Sequence, residues 1–415
     1  MSNIRKANHH VPQQAEKSDQ AMIVNVEFFD ENPIENVVTS LHYRVDKTVF
    51  FGYANMVTDH QKYTERFLKE ICGVREVKFC VVDNFDLTDI MNTISRVVRQ
   101  EIREGHQVFF DLTGGESLPL VAFGILSREL SAPMHTYDVH SGQLHEYGYA
   151  GSALLSKTAQ YDPIELNLDS FISLYGGTIN YRMHKDFKDT RRTEDMTDVV
   201  NMWNLSRQYG ENWVHYSALL RKFVPDEQLT VHTGAQKMSE QFRKLPVTGG
   251  KEIFHRFLDD CQSLGFLEQV RHENGVYHYR YKNPTIKNYF WDGGSILEMY
   301  AFLKEARESG ANDCRIGVHI DWDGVIHNSA GKDVLNEIDI MSVKDNLPTF
   351  ISCKIGNVDQ RALYELETIA NRFGGKYARK VLVIAKDMAP GHILRAKEMG
   401  IEVRKIDSIS TQELA

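Results

Sequence analysis

From Ala21 onward the chain alternates short apolar runs with amphipathic stretches. The runs AMIVNVEFF, KTVFFGY, REVKFCVV and QVFFDLTGG have the length and β-branched or aromatic content of strands. HQKYTERFLKEIC, LTDIMNTISRVVRQEIREG and LPLVAFGILSREL carry apolar residues at helical spacing. Strands separated by helices need crossover connections, so this pattern predicts a mostly parallel, Rossmann-like sheet. It closes with HTYDVHSGQLHEYGY, where Ser141 and Gly142 supply turn chemistry between two half-buried strands.

From about Asp169 to Lys287 the pattern changes to amphipathic helices (MTDVVNMWNLSRQY, HYSALLRKF, IFHRFLDDCQSLGF) followed by LEQVRHENGVYHYRYKN. There Asn274 and Gly275 separate two alternating segments, and helices ahead of an Asn-Gly hairpin predict a winged-helix-like module. No basic recognition helix stands out, which favours a linker or dimerisation element over a DNA reader. The stretch from Pro225 to Gly250 reads as an irregular loop. The last section runs helix (GGSILEMYAFLKEARESG), three strands (CRIGVHIDWD, NEIDIMSVKDN, PTFISCKIG), helix (DQRALYELETIANRFGG), strand (ARKVLVIA), helix (GHILRAKEMG) and strand (IEVRKID). The expected organisation is a disordered tail at 1–20, an α/β domain at 21–165, a helical linker region at 166–290 and a second α/β domain at 291–415.

A length of 415 residues exceeds one ordinary core and agrees with two or three domains. No apolar run approaches the roughly 18 to 20 residues that cross a bilayer, and the first twenty residues lack the apolar stretch of a signal peptide. The expectation is a cytoplasmic protein without membrane contact. Cys72, Cys80, Cys261, Cys314 and Cys353 are scattered and form no CxxC pair, so reduced thiols are expected. The net charge of -9 argues against a surface coated for tight, constitutive nucleic-acid binding but leaves room for a local basic groove. Two stretches run against that average, one from Arg182 to Arg192 and one from Lys376 to Lys405.

The last domain carries the sharper chemistry. Metal-assisted phosphodiester cleavage needs oxygen ligands and a cation converging on one point. Glu298 lies in the first helix of this section, Glu337 and Asp339 stand two apart on one strand face, and Lys354 ends the next apolar strand. A lysine closing PTFISCK is unexplained by packing unless a carboxylate or phosphate faces it. With this order of elements, the segment resembles the PD-(D/E)XK nuclease superfamily. The resemblance implies that Glu298 is the helix acid, Asp339 the main metal ligand and Lys354 the lysine of the motif. It further implies that the main-chain carbonyl of Cys353 is a ligand of Mn²⁺ or Mg²⁺; because Mn²⁺ tolerates looser geometry and binds such ligands more tightly, it is expected to give the faster reaction. Ser352 stands where that family has a second acid, and Glu337 is the residue able to compensate for it.

In the first domain, QVFFDLTGGES places a glycine-containing turn directly after an apolar strand and before a helix. Glycines there let a ligand approach the backbone, and amides at a helix start favour phosphate. Asp30, Pro33 and Asn36 follow the first strand as Asp-x-x-Pro-x-x-Asn. Together these segments resemble the CARF domain, the cyclic-oligoadenylate sensor of type III CRISPR defence, and the whole architecture resembles CARF nucleases activated by cyclic tetraadenylate that cleave DNA and single-stranded RNA. The resemblance implies a homodimer whose ligand meets Thr113, Gly114, Gly115 and Glu116, helped by Asn32, Pro33 and Asn36 and flanked by Gly52 and Asn55. Asp111 reads as structural, and with no strong base beside DLTGG, slow or absent ligand turnover is expected. The competing function is a non-catalytic, nucleotide-responsive DNA-binding regulator with a decayed nuclease domain. A Rossmann dinucleotide enzyme is disfavoured because no GxGxxG follows the first strand.

Overall fold

The computed structural model describes residues 21–82, 86–138, 141–159, 163–183, 193–224, 228–244, 250–291, 293–327 and 333–406. The chain divides into two compact units, Met1–Pro163 and Ile164–Ala415. The predicted tail at 1–20 lies outside the described residues, as do Lys185, Lys188, Arg191 and Arg192 of the first basic stretch.

The first unit is built on a seven-stranded sheet. Its strands are Ile23–Phe28 (β1), Lys47–Gly52 (β2), Glu76–Val81 (β3), Gln107–Asp111 (β4), Met134–Asp138 (β5), Gln143–Ala150 (β6) and Ala153–Ala159 (β7), in the order β3-β2-β1-β4-β5-β6-β7. The first five pair in parallel and the last two are antiparallel. Four helices accompany it: Val38–His42 (α1), Ala54–Glu70 (α2), Leu87–Arg103 (α3) and Ser117–Leu130 (α4). Helix α3 is started by Asp86, whose carboxylate accepts from the amides of Thr88 and Asp89. Its stripe of Ile90, Ile94 and Val98, spaced by four, is buried in one core with Phe123 and Leu126 of α4 and Val24, Val26 and Phe28 of β1.

Two features escaped sequence reading. Helix α2 begins at Ala54, ahead of His60 where its amphipathic stretch opens. Strand β7 hides no alternating apolar face, since Leu154 and Leu155 are both exposed, and periodicity gives no signal for such an edge.

The second unit contains Leu168–Leu174 (α5), Thr193–Tyr209 (α6), Glu211–Lys222 (α7), Ala235–Phe242 (α8), Gly250–Ser263 (α9), Pro284–Trp291 (α10), Gly293–Glu308 (α11), Gln360–Gly374 (α12) and Pro390–Glu398 (α13). Its strands are Thr178–Ile179 (β8), Thr230–Thr233 (β9), Leu267–Glu273 (β10), Val276–Tyr281 (β11), Asp313–Asp321 (β12), Leu335–Lys344 (β13), Leu347–Lys354 (β14), Arg379–Ile384 (β15) and Ile401–Lys405 (β16). They form a three-stranded sheet, β10-β11-β9, and a six-stranded sheet, β16-β15-β14-β13-β12-β8. The β10–β11 hairpin turns through Asn274 and Gly275, both at positive φ, as an Asn-Gly turn requires. A side chain at Gly275 would strike Ala235 of α8 at 2.7 Å, so packing demands glycine there as well.

The expected loop between Pro225 and Gly250 instead contains β9 and α8. Only Val231 and Thr233 of β9 and Met238 of α8 are buried, too few positions to set a readable period. One core runs from Trp203, Tyr216, Phe257 and Tyr281 to Ile340, Ile351 and Val381, so the helical region and the six-stranded sheet exclude water jointly. Among the described residues no helix is long and apolar enough to cross a membrane.

Candidate active site and ligand-binding turn

In the second unit the geometry is set by the β13–β14 hairpin. Its two turn residues, Asp345 and Asn346, both sit at positive φ, the twist that a two-residue hairpin needs. Asn346 is fastened further, donating to the Ile164 carbonyl at 3.1 Å and accepting from the Leu166 amide at 2.9 Å. The turn fixes register, with Ile340 opposite Ile351 and Met341 opposite Phe350. That register carries Asp339 to the residues that end β14.

Asp339 accepts the backbone N–H of Cys353 at 2.6 Å and the hydroxyl of Ser352 at 3.1 Å, both on Oδ2. Burial pushes its pKa up, against the pull of the Cys353 amide, Lys354 and Ser352, while Glu337 adds to the rise. Lys354 is half-buried at the end of its strand and forms no ion pair within 4.0 Å among the described residues. Glu298 projects from α11, which packs on β12, β13 and β14. The Cys353 thiol is pushed well above its usual value by burial, then by the charges of Asp339 and Glu298. The helix acid and the strand acid therefore act on one locus.

Ser352 has a definite task in place of the acid: it orients Asp339. Glu337 shares the face of Asp339 but is 43% exposed, and its carboxylate lies 3.5 Å from Nε2 of His319 on the facing position of β12. His319 is buried, with Nδ1 3.1 Å from the Gly317 carbonyl. Sequence reading missed His319. Its signal was the cross-strand position opposite Glu337, which the sequence alone does not reveal.

Carboxylate oxygens with a nearby lysine suit a hard divalent ion, and a buried carboxylate whose anion is disfavoured gains most from one. Glu298, Glu337 and Asp339 do not close to within 4.8 Å of one another; among the described residues the one such cluster is Glu101, Glu104 and His106 in the first unit. There Glu101 already faces Lys47 at 3.1 Å, which makes that cluster an ion-pair network. Magnesium-type ions commonly use one or two carboxylates and take their other ligands from water and phosphate, so the nuclease donor set fits.

In the first unit, the loop after β1, the turn after β4 and Tyr53 after β2 gather at the carboxyl edge of the sheet, where open parallel sheets bind ligands. Asp30 ties loop to turn, since its carboxylate accepts from the amides of Asn32 at 2.8 Å and Gly115 at 2.9 Å. Asn36 clasps Asp30 in turn, accepting its N–H at 2.7 Å and donating to its carbonyl at 2.8 Å. Asn36 and Pro33 are buried, so the outward-facing part of this loop is Glu31 and Asn32.

Thr113 donates its amide to Asp111 at 2.9 Å, while its hydroxyl accepts the Tyr137 amide at 3.0 Å and pairs with Thr39 at 3.3 Å. A Cβ on Gly114 would lie 3.0 Å from Glu35, a tight contact, and one on Gly115, at φ 108°, would lie 2.9 Å from Phe28, so Gly115 demands glycine. Glu116 is exposed and accepts from the Tyr53 hydroxyl at 3.2 Å. Gly52 is buried at the end of β2, and the side chain of Asn55 lies outside the described residues.

Beneath the turn sit two buried acids. Asp111, bonded as expected of a structural residue, has its pKa raised by burial. Glu27 on β1 is pushed well above the usual range by burial and then by Asp111. Glu27 was visible in IVNVEF as a carboxylate inside an apolar strand, a signal for a buried, protonated acid.

Residues 287–413 match the family model described as the Card1-like endonuclease domain. No curated protein matches the chain. Among solved structures, protein VC1899 from Vibrio cholerae superposes with a TM-score of 0.67 at 17% identity, covering 95% of each chain. Can2 from Sulfobacillus thermosulfidooxidans, solved in complex with cyclic tetra-adenylate, superposes with a TM-score of 0.61 at 14% identity, covering 92% of this chain and 95% of that one. At such identities the likeness is one of fold. Along nearly its whole length the chain shares the fold of these two proteins, and its residues 287–413 match the Card1-like endonuclease domain.

Proposed function

We propose that this chain is a ligand-activated, metal-dependent endonuclease, an ancillary effector of type III CRISPR defence. The observation that carries the reading is the seating of Asp339. Its carboxylate is half-buried, fixed by Cys353 and Ser352 and flanked by Lys354, within a segment that matches the Card1-like endonuclease domain. Such an arrangement is costly to a fold and useful to a phosphodiesterase.

In this reading Glu298, Asp339 and the Cys353 carbonyl would hold Mn²⁺ or Mg²⁺. When bound there, such an ion would supply Lewis acidity and a more acidic water for attack on the phosphate. The chain does the rest. The Cys353 amide and Ser352 keep Asp339 in one orientation, so no reorganisation is needed when charge develops. Lys354 offsets negative charge on the scissile phosphate. Glu337, steered by His319, supplies the acid that Ser352 does not.

The same reading gives the first unit a cyclic oligoadenylate, with cyclic tetraadenylate favoured by the ligand bound in the Can2 structure. The amides and glycines from Thr113 to Glu116, with Asn32, would meet its phosphates and bases. A symmetrical ring suits a site shared by two copies of the chain, so the working form is a homodimer. Substrates are DNA, nicked or single-stranded, and single-stranded RNA. The test is cleavage of plasmid and single-stranded RNA by the ligand-loaded full chain in Mn²⁺, in EDTA, and with Lys354→Ala. Cleavage lost in EDTA and strongly reduced in the variant supports the assignment. Cleavage that survives EDTA refutes it, and duplex binding without any cleavage points to the regulator instead.

A further inference from the structure

Helices α6 and α7 meet at an elbow on Gly210, and beside it opens a cavity of about 670 Å³ lined by Trp203, Arg207, Trp213, Arg221, Ile355 and Lys386. We propose that this cavity is the strand-binding subsite of the nuclease, taking an unpaired base and its flanking phosphates next to the scissile bond. The proposal rests on the nuclease reading above and names where the substrate lies.

Position is the first argument. Ile355 and Gly356 follow Lys354 directly, and the Lys354 carbonyl accepts the amide of Ala385, another lining residue, at 3.1 Å. The cavity and the end of β14 share a wall. Charge is the second. Among the described residues, three cations and no carboxylate line the cavity of a chain whose net charge is -9. The other basic residues of the last section are mostly spent, Arg379 and Arg404 on Glu402, Lys380 on Glu367 and Lys405 on Asp387. Arg207 and Lys386 form no ion pair among the described residues, which leaves them for phosphate.

The third argument is a buried donor. Trp203 lines the cavity and is 2% exposed, and its buried indole Nε1–H has no hydrogen-bond partner among the described residues. Buried indole donors normally find an acceptor. A carbonyl or ring nitrogen of a base would supply one, while the Arg207 guanidinium, 6.0 Å from the Trp203 ring centre, stands at the mouth for the adjoining phosphate. A volume of about 670 Å³ is that of an ordinary ligand pocket. Only an unpaired base reaches such a donor, so the subsite selects single strands or a strand with a base turned out.

The experiment measures fluorescence anisotropy of labelled single-stranded DNA and RNA of one sequence with the full chain plus cyclic tetraadenylate. EDTA is present so that nothing is cut, and salt runs from about 50 to 200 mM. Arg207→Gln combined with Lys386→Gln should weaken binding about tenfold at the lowest salt and flatten the salt slope by about 1.4, for two lost phosphate contacts on a single strand. Trp203→Phe should weaken binding of a strand that carries bases and leave an abasic strand unaffected.

Wild-type affinity and slope in the double variant overturn the proposal, as does a wild-type protein that binds neither strand. Equal loss on both strands in Trp203→Phe overturns the base contact. A chain that binds as described yet cuts nothing in Mn²⁺ sinks the nuclease reading and keeps the subsite. One that cuts while the variants bind normally does the reverse.

Discussion

Replacing Asp339 by asparagine separates a functional acid from a structural one. In the folded chain the carboxylate is half-buried and takes two donors on one oxygen. Burying an ionised carboxylate costs several kcal/mol, and hydrogen bonds to it return about 1.5 to 3 kcal/mol each. The upward displacement of its pKa says that burial wins. Asparagine keeps an acceptor for both donors at about 1 kcal/mol each and removes the buried charge. The variant should therefore gain about 1 kcal/mol without metal, which is about 2 to 4 °C in Tm for a unit of this size. Saturating Mn²⁺ should reverse the order, because a metal at a hundredfold its Kd adds about 2.7 kcal/mol to the wild type and nothing to the variant. Cleavage should fall by about 10³-fold or more, the equivalent of about 4 kcal/mol. Differential scanning calorimetry in EDTA and in Mn²⁺, beside a plasmid assay, reads all three. An Asp339→Asn variant that melts below wild type in EDTA and responds equally to Mn²⁺ would refute the reasoning and make Asp339 a structural residue.

Glu27→Gln should change the pH dependence of stability. The folded state holds a proton on Glu27 that the unfolded chain releases above the ordinary value of 4.5, so stability is fully present below that value and lost as pH rises through the raised one. The variant should gain in Tm over wild type as pH climbs from about 5 to 8, whereas a constant difference would contradict the buried-acid account. Gly115→Ala forces a Cβ to 2.9 Å from Phe28 at a positive φ. It should cost about 1 to 3 kcal/mol and weaken cyclic tetraadenylate binding by isothermal calorimetry; unchanged Tm and affinity would show that the turn relaxes freely.

The alternation of apolar runs was enough to read the central strands of the two larger sheets, because β1, β4, β13 and β14 are buried strands bounded by turn residues. It also read Asp339 and Lys354 onto neighbouring strands, since a two-residue turn at Asp345 and Asn346 leaves few registers. What stayed hidden was tertiary. His319 meets Glu337 only across strands, Ser352 acquires its task only when Asp339 is opposite, and the cavity at the α6–α7 elbow joins residues far apart in sequence. Asn36 shows the converse: a polar loop residue reads as a ligand contact until its whole amide is found closing its own loop.

The measurement that bears most directly on the whole account is cleavage by the full-length chain in Mn²⁺, with plasmid and single-stranded RNA, titrated with cyclic tetraadenylate. The account predicts little cutting without the ring, a steep rise that saturates near one ring per two chains, and complete loss in EDTA. Cutting that proceeds equally well without the ring, or a chain that binds the ring and never cuts either substrate, would contradict it.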